Sequence, residues 1–189
     1  GRLSSVTDLS MKSGDYKSWH GNFTVGLTSA NVSFSGPLVK DRTSLFVALR
    51  RSWLELVSVP ALAIINASKK KSGEKVIAGY NFTDFNLKLD HRLGRFGTLS
   101  LLGYYGHDRL KMGEHRFSGE GEDTDPYLHK NENRLGWGNM LTALKWHLPI
   151  NTLFAYDMKA SYTHYQSDFR KTVETVSGRE GENGYENSR

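Results

Sequence analysis

The stretch that decides the fold is residues 80–92, which read YNFTDFNLKLDHR. Phe85, Leu87 and Leu89 occupy alternate, odd-numbered positions, which we call one parity, and the even-numbered positions between them are polar. The polar set comprises Asp84, Asn86, Lys88, Asp90 and Arg92. A helix would scatter the two sets around its circumference, whereas a β-strand places them on opposite faces. The period therefore predicts a strand with one apolar and one polar face.

The same alternation recurs on both sides of this stretch. It is clear in residues 19–28, 31–35 and 152–163 and weaker in residues 45–51 and 139–148. Residues 98–109 are apolar on both parities, so the faces of that strand stay undetermined. The pattern predicts about seven strands, many longer than the roughly 5–6 residues of an average strand. A tilted strand that crosses a membrane needs roughly 9–11 residues.

The connections between these strands alternate in length, apart from a short one near Ser29 and Ala30. The short turns are residues 36–42, 93–97 and 149–151, and the long segments are residues 54–79, 110–134 and those from 173 onward. Outer-membrane barrels have short turns at one end and long loops at the other. The four tryptophans lie near predicted strand ends, where an aromatic girdle is expected. They are Trp19, Trp53, Trp137 and Trp146.

Composition excludes several classes of protein. The 189 residues include no Cys, which rules out disulfides and cysteine-ligated metal sites. No apolar run of roughly 18–20 residues is present, so no transmembrane helix is predicted. The mean hydropathy of −0.53 still permits a barrel, because a barrel exposes only alternate residues to lipid. The net charge is +5, but the basic residues are scattered, and we expect no nucleic-acid binding.

Five stretches together resemble TonB-dependent outer-membrane receptors. Residues 1–12 (GRLSSVTDLSMK) are similar to the last strand of the plug domain of that family. The other four stretches are similar to its first barrel strands: residues 25–30, 32–44, 49–53 and 135–139. The resemblance implies an all-β fold, namely part of an antiparallel transmembrane β-barrel, with about seven of the roughly 22 strands of such a receptor. Residues 1–15 would end the plug domain and residues 16–189 would begin the barrel.

The resemblance also implies a function. Such a receptor lies in the outer membrane of a Gram-negative bacterium and imports a scarce nutrient, which could be an iron chelate, cobalamin, a peptide or a glycan. Its partners would be that ligand, outer-membrane lipid and lipopolysaccharide, and the TonB energy-coupling protein, reached through segments that precede this chain. The chain is then expected to be an internal piece and not an enzyme, with no cofactor.

The alternation of polar and apolar positions and the resemblance together predict which residues bind the ligand. The predicted lumen-facing set is Asn22, Asp84, Asn86, Lys88, Asp90 and Asp157. No catalytic or metal-binding residues are predicted. Three histidines flank an acidic segment, residues 114–125, which we interpret as a solvated loop because its spacing matches no established calcium loop. Residues 54–67 are apolar and predict a short helix, packed against the loops or lining a ligand pocket.

Two other readings of the strands remain open. One is a complete small outer-membrane barrel of structural or adhesive role, in which residues 5–12 pair with residues 152–170. The other is a soluble β-sandwich that acts as a binding module.

Overall fold

The computed structural model describes residues 11–118, 127–177 and 184–188, which form one antiparallel sheet of eight strands in the order β1 to β8. The strands are β1 His20–Val25, β2 Ser29–Val39, β3 Thr43–Ser52, β4 Glu74–Arg92, β5 Thr98–Ser118, β6 Tyr127–Pro149, β7 Ala155–Ser177 and β8 Gly184–Ser188. The described residues also form one helix, α1 (Leu54–Lys69), and two single 3₁₀ turns, Lys70–Ser72 and Gly94–Phe96. The all-β, antiparallel prediction is confirmed.

The sheet is a simple meander. Each strand pairs with its neighbours in sequence, and within the described residues β1 pairs only with β2 and β8 only with β7, which leaves the sheet open. This order has none of the crossovers of a Greek-key sandwich. The sequence predicted a long connecting segment from residue 173 onward, including residues 181–189. That prediction is wrong for β8, which pairs with residues 171–175 of β7.

The register sorts the side chains into two faces. What we call the apolar face carries Phe23, Val32, Phe34, Leu45, Val47, Leu49, Phe85, Leu87, Leu89, Leu99, Leu101, Tyr105, Met140, Leu144, Trp146, Met158 and Tyr162. Residues 98–109, ambiguous in sequence, are assigned by their partners. Leu101 pairs with Leu89 on the apolar face, and Leu102 pairs with Lys88 on the opposite face, here called the polar face.

Within the described residues, no protein layer covers most of the apolar face. Among the described residues the only buried apolar side chain is Ala143, at 2% exposure, and it lies on the polar face. Large side chains such as Phe23, Phe34 and Tyr162 are more than half exposed. A contiguous exposed apolar surface of this extent marks an interaction site.

Helix α1 follows β3 and packs on the apolar-face side of β4. A Cβ at Gly79 would lie 3.8 Å from the Cβ of Glu55, and the Asn81 amide donates to the Glu55 carboxylate. The Asn66 side chain accepts from the Val76 N–H at 2.7 Å and donates to its carbonyl at 3.0 Å. The predicted short helix is confirmed, with Pro60 inside it. In the described residues no helix has both the length and the apolar content to cross a membrane.

The predicted long loops are shorter than the sequence indicated. β4 begins at Glu74, inside the predicted loop 54–79, and β5 and β6 extend to Ser118 and Tyr127, inside the predicted loop 110–134. The alternation fails there because positions that point to the same side as the apolar face carry charged residues. The backbone pairing nevertheless continues. The predictions of loop at these positions are wrong.

The segment before β1 crosses the polar face without forming a strand. Lys88 donates to the carbonyl of Met11 at 3.3 Å and to the Oγ of Ser13 at 2.8 Å. The Arg92 guanidinium stacks on the Tyr16 ring, 3.7 Å from its centroid. The predicted plug-end strand lies mostly in residues 1–10, outside the described residues, and Met11 and Lys12 at its end are not strand.

Candidate functional site

A cavity of about 600 Å³ lies on the polar face beneath Met11 and Lys12. Its floor is built by side chains of six neighbouring strands, β2 to β7, because alternate residues of each strand point to the same side. They are Asn31, Phe46, Ala48, Arg50, Asp84, Asn86, Leu102, Tyr104, Leu141, Ala143 and Lys159. The cavity floor therefore combines charged and amide groups with apolar side chains such as Phe46 and Leu102.

Two tyrosine–aspartate pairs lie on the polar face, and one of them, Tyr104 with Asp84, lines this cavity. Tyr104 donates its hydroxyl proton to Asp84 at 3.0 Å, and Tyr80 donates to Asp108 at 2.5 Å. Gly106 lies between them, and a Cβ there would collide with the Tyr104 hydroxyl. The glycine is what lets the hydroxyl reach Asp84 across the strand pair.

Aromatic rings continue the polar face above the carboxylates. Tyr80 stacks on Trp137 with ring centroids 6.2 Å apart, and Phe82 lies 6.1 Å from Tyr80. The Arg50 guanidinium sits 4.7 Å from the centroid of Phe82. Ring faces take up planar or apolar parts of a ligand, and a guanidinium on a ring is favourable by cation–π attraction. The arrangement has the groups needed to bind a ligand with both polar and apolar parts.

The structure brings two of the predicted ligand-binding residues into this cavity, Asp84 and Asn86. Lys88 shares their face but is held by Met11 and Ser13, and its ammonium is 3.6 Å from Asp90. Asp90 is only 3% exposed. Lys88 thus holds the segment at residues 11–13, and Asp90 is buried beside Lys88 and out of reach of a ligand.

Asn22 and Asp157 lie elsewhere on the polar face. Asn22 lines a second cavity of about 440 Å³, closed on one side by residues 12–15. Asp157 is at the turn end of β7, where it accepts from His147 at 2.9 Å and lies 3.7 Å from Lys145. The six residues share one face, but the fold does not gather them into one site, and their role in ligand binding stays a prediction.

The sequence did not reveal several residues of the site, including Arg50, Tyr80, Tyr104 and Asp108. The faces of residues 98–109 could not be assigned from the sequence, so Tyr104 and Asp108 could not be placed on the polar face. Trp137 was predicted to lie at a strand end in a girdle. That prediction is wrong, because Trp137 lies within β6 on the polar face, opposite Asp108. The other three tryptophans do lie near strand ends, just before β1, just after β3 and close to the end of β6.

The acidic segment and its histidines are only partly described. Glu114 and His115 are in β5, and the carboxylates of residues 120–125 lie outside the described residues. His115 contacts Glu132 at 3.2 Å. Within the described ranges no group of three or more His, Asp or Glu side chains could hold a metal ion.

No protein-family model, curated protein or solved structure matches this chain. Function is therefore inferred from the two faces of the sheet and the segment that crosses one of them.

Proposed function

We propose that this chain is part of a TonB-dependent receptor in the outer membrane of a Gram-negative bacterium, where it helps to import a scarce nutrient. The observation that carries the proposal is the exposed apolar band on one face of a sheet whose other face is polar. In this proposal the apolar face contacts lipid, the polar face lines the lumen, and the protein is a transporter and not an enzyme.

The dimensions of the band support a membrane setting. On β6 its outward positions run from Met140 through Leu144 and Trp146 to Leu148. This is about nine residues, close to the roughly 9–11 that a tilted strand needs to cross a bilayer. Aromatic side chains lie near both ends, with Tyr105 at one end and Trp146 and Tyr156 at the other. Outer-membrane barrels place aromatic girdles at these two levels.

The segment at residues 11–16 supports the assignment to a receptor with a plug. It lies on the polar face, where the end of a plug would meet the inner wall, and is tied there by Lys88 and Arg92. The nutrient, an iron chelate, cobalamin, peptide or glycan, would contact the cavity that holds Asp84 and Asn86. The TonB energy-coupling protein would act through segments preceding residue 1, and lipid and lipopolysaccharide would contact the apolar face.

Single-cysteine labelling tests the membrane assignment. These 189 residues contain no native Cys, so each introduced thiol is the sole thiol among them. In outer-membrane vesicles, thiols at Leu101 and Leu144 should resist a water-soluble maleimide and react with a lipid-soluble one. Thiols at Ser100 and Ser161, which lie on the polar face at similar depth, should react with the water-soluble reagent. Recovery of the protein as a detergent-free soluble monomer would contradict the proposal and favour the β-sandwich reading.

Uptake by cells tests the receptor assignment. Deletion of the gene and deletion of the energy-coupling protein should each abolish high-affinity uptake of the same nutrient, identified from a panel of iron chelates, cobalamin, peptides and glycans. Insertion in the membrane without any such uptake defect would favour the small structural or adhesive barrel. Uptake that persists without the energy-coupling protein would contradict energy-coupled import.

A further inference from the structure

Beyond the apolar band, towards the β5–β6 connection, the same face of the sheet becomes cationic. Lys111 on β5 lies directly opposite Arg134 on β6, which in turn lies directly opposite Arg170 on β7. Arg109 is on the same face, two residues nearer the band. Like charges placed directly opposite one another destabilise a sheet. A row of cations on three neighbouring strands therefore points to an anion that lies across them.

These side chains line a cleft of about 560 Å³ beside α1. Glu132 partly neutralises the row, because it lies 3.1 Å from Lys111 and 3.2 Å from Arg134. In the described part of the chain neither Arg109 nor Arg170 forms a salt bridge, and both are exposed. The lining also includes two carboxylates, Glu55 beside Gly79 and Asp168 over Gly136, so its four cations exceed its acidic groups by two. Two guanidinium groups are thus available to a ligand, and guanidinium binds phosphate oxygens in a bidentate manner.

Helix α1 forms an apolar wall next to the cleft. Leu56 is 67% exposed, Val59 56% and Ile64 74%. The helix contains no buried residue. An apolar helix normally buries its surface in a protein core or in lipid. Because α1 packs on the apolar-face side of β4, its exposed apolar side chains lie on the same side of the sheet as the apolar face.

We propose that this cleft binds the phosphorylated headgroup of an anionic lipid, whose acyl chains lie against α1 and the apolar band. The inference rests on the proposed function, since it requires the apolar face to meet lipid. A lipid fits better than a free anion because the cations, the apolar helix and the apolar face all lie on one side of the sheet. Nucleic acid fits poorly because the cleft lining includes no aromatic ring besides His107 for stacking.

The test is a binding titration with the protein folded in detergent micelles. The probes are diphosphorylated lipid A, the same lipid with its phosphates removed, and inorganic pyrophosphate, with bound lipid counted by native mass spectrometry. The double variant R109Q/R170Q should bind the phosphorylated lipid at least tenfold more weakly. The matched control is K40Q/R95Q, which removes two exposed cations from turns at the opposite end of the strands. It should change the affinity less than twofold.

A variant that is expected to strengthen lipid binding distinguishes an effect on binding from an effect on folding. Glu132→Gln frees Lys111 and Arg134 from their acidic partner, so it should raise the affinity for the phosphorylated lipid. A merely destabilised protein would not bind more tightly. Equal affinity for the dephosphorylated lipid, or full competition by equimolar pyrophosphate, would overturn the lipid headgroup as ligand and leave the proposed function intact. Failure of the wild-type protein to enter micelles would overturn both.

Discussion

The ammonium group of Lys88 and the hydroxyl of Ser13, 75 positions apart in sequence, form a 2.8 Å hydrogen bond that fixes the N-terminal segment to the polar face. The same ammonium lies 3.6 Å from Asp90, a carboxylate that is 3% exposed. One side chain thus serves two purposes. It positions the segment over the cavity and compensates a buried charge.

Lys88→Met should destabilise the protein by about 3 kcal/mol, because it leaves the Asp90 carboxylate buried without its cation. The free energy of unfolding in urea measures the loss. The double variant K88M/D90N removes both charges and should recover most of it. A cysteine at Met11 should also become more reactive to maleimide in both variants, since the segment loses its anchor. If K88M/D90N were as unstable as K88M, the buried charge would not be the cause.

Leu87→Arg should cost about 2–4 kcal/mol in a bilayer, since Leu87 is on the apolar face at the middle of the band. Unfolding of the protein from lipid vesicles measures this cost. Ser161→Arg, on the polar face at nearly the same depth, is the control and should cost much less. The reverse order would mean that the polar face meets lipid.

Glu132→Gln should lower stability at neutral pH and not at strongly acidic pH. Burial opposes ionisation of Glu132, but hydrogen bonds from Lys111, His115 and Arg134 outweigh it and lower the pKa of Glu132 from 4.5 to about 2. The stabilisation is therefore complete above about pH 4.5 and is lost as the pH falls towards 2. After discounting for solvent screening, we expect a difference of about 1 kcal/mol between wild type and variant at pH 7.

Urea unfolding of wild type and Glu132→Gln across pH 2–7 measures this difference. Glu114→Gln is the control, because Glu114 is more exposed and its salt bridge is to Arg116 at 3.2 Å. It should have little effect at any pH. A Glu132→Gln effect that did not shrink below pH 4 would show that lost packing, and not the carboxylate's charge, is responsible.

Gly97→Ala should destabilise the β4–β5 turn by about 3 kcal/mol. Gly97 has a φ of +81°, and a Cβ there would collide with the carbonyl oxygen of His147 on β6. The cost combines left-handed backbone strain with displacement of a neighbouring strand. Gly94→Ala is a matched control in the same turn, because Gly94 has a φ of +63° but nothing within 4 Å of its Cβ position. It should cost only about 1 kcal/mol, and equal losses would argue against the collision.

The sequence predicted the strands and their faces where apolar and polar residues alternate strictly, as around Leu87 and Lys88. It could not assign residues 98–109, because Leu101 and Leu102 are both apolar and only their partners on β4 separate them. It also ended the strands too early, since the charged positions from Arg109 to Arg116 look like loop but continue the ladder. The cavity depends on which residues face each other across strands, and single-strand patterns carry no register.

The contact between Asn66 and Val76 has a consequence for solubility during folding. β4 begins at Glu74, but β3 pairs with it only from Thr83 onward. In residues 74–82 one edge of β4 therefore has no strand beside it. Such an edge is a template for self-association with other copies. The Asn66 amide occupies both backbone groups of Val76, and α1 covers the strand beside it. The helix thus blocks strand pairing with other copies at this edge, and its loss would expose a stretch of unpaired backbone.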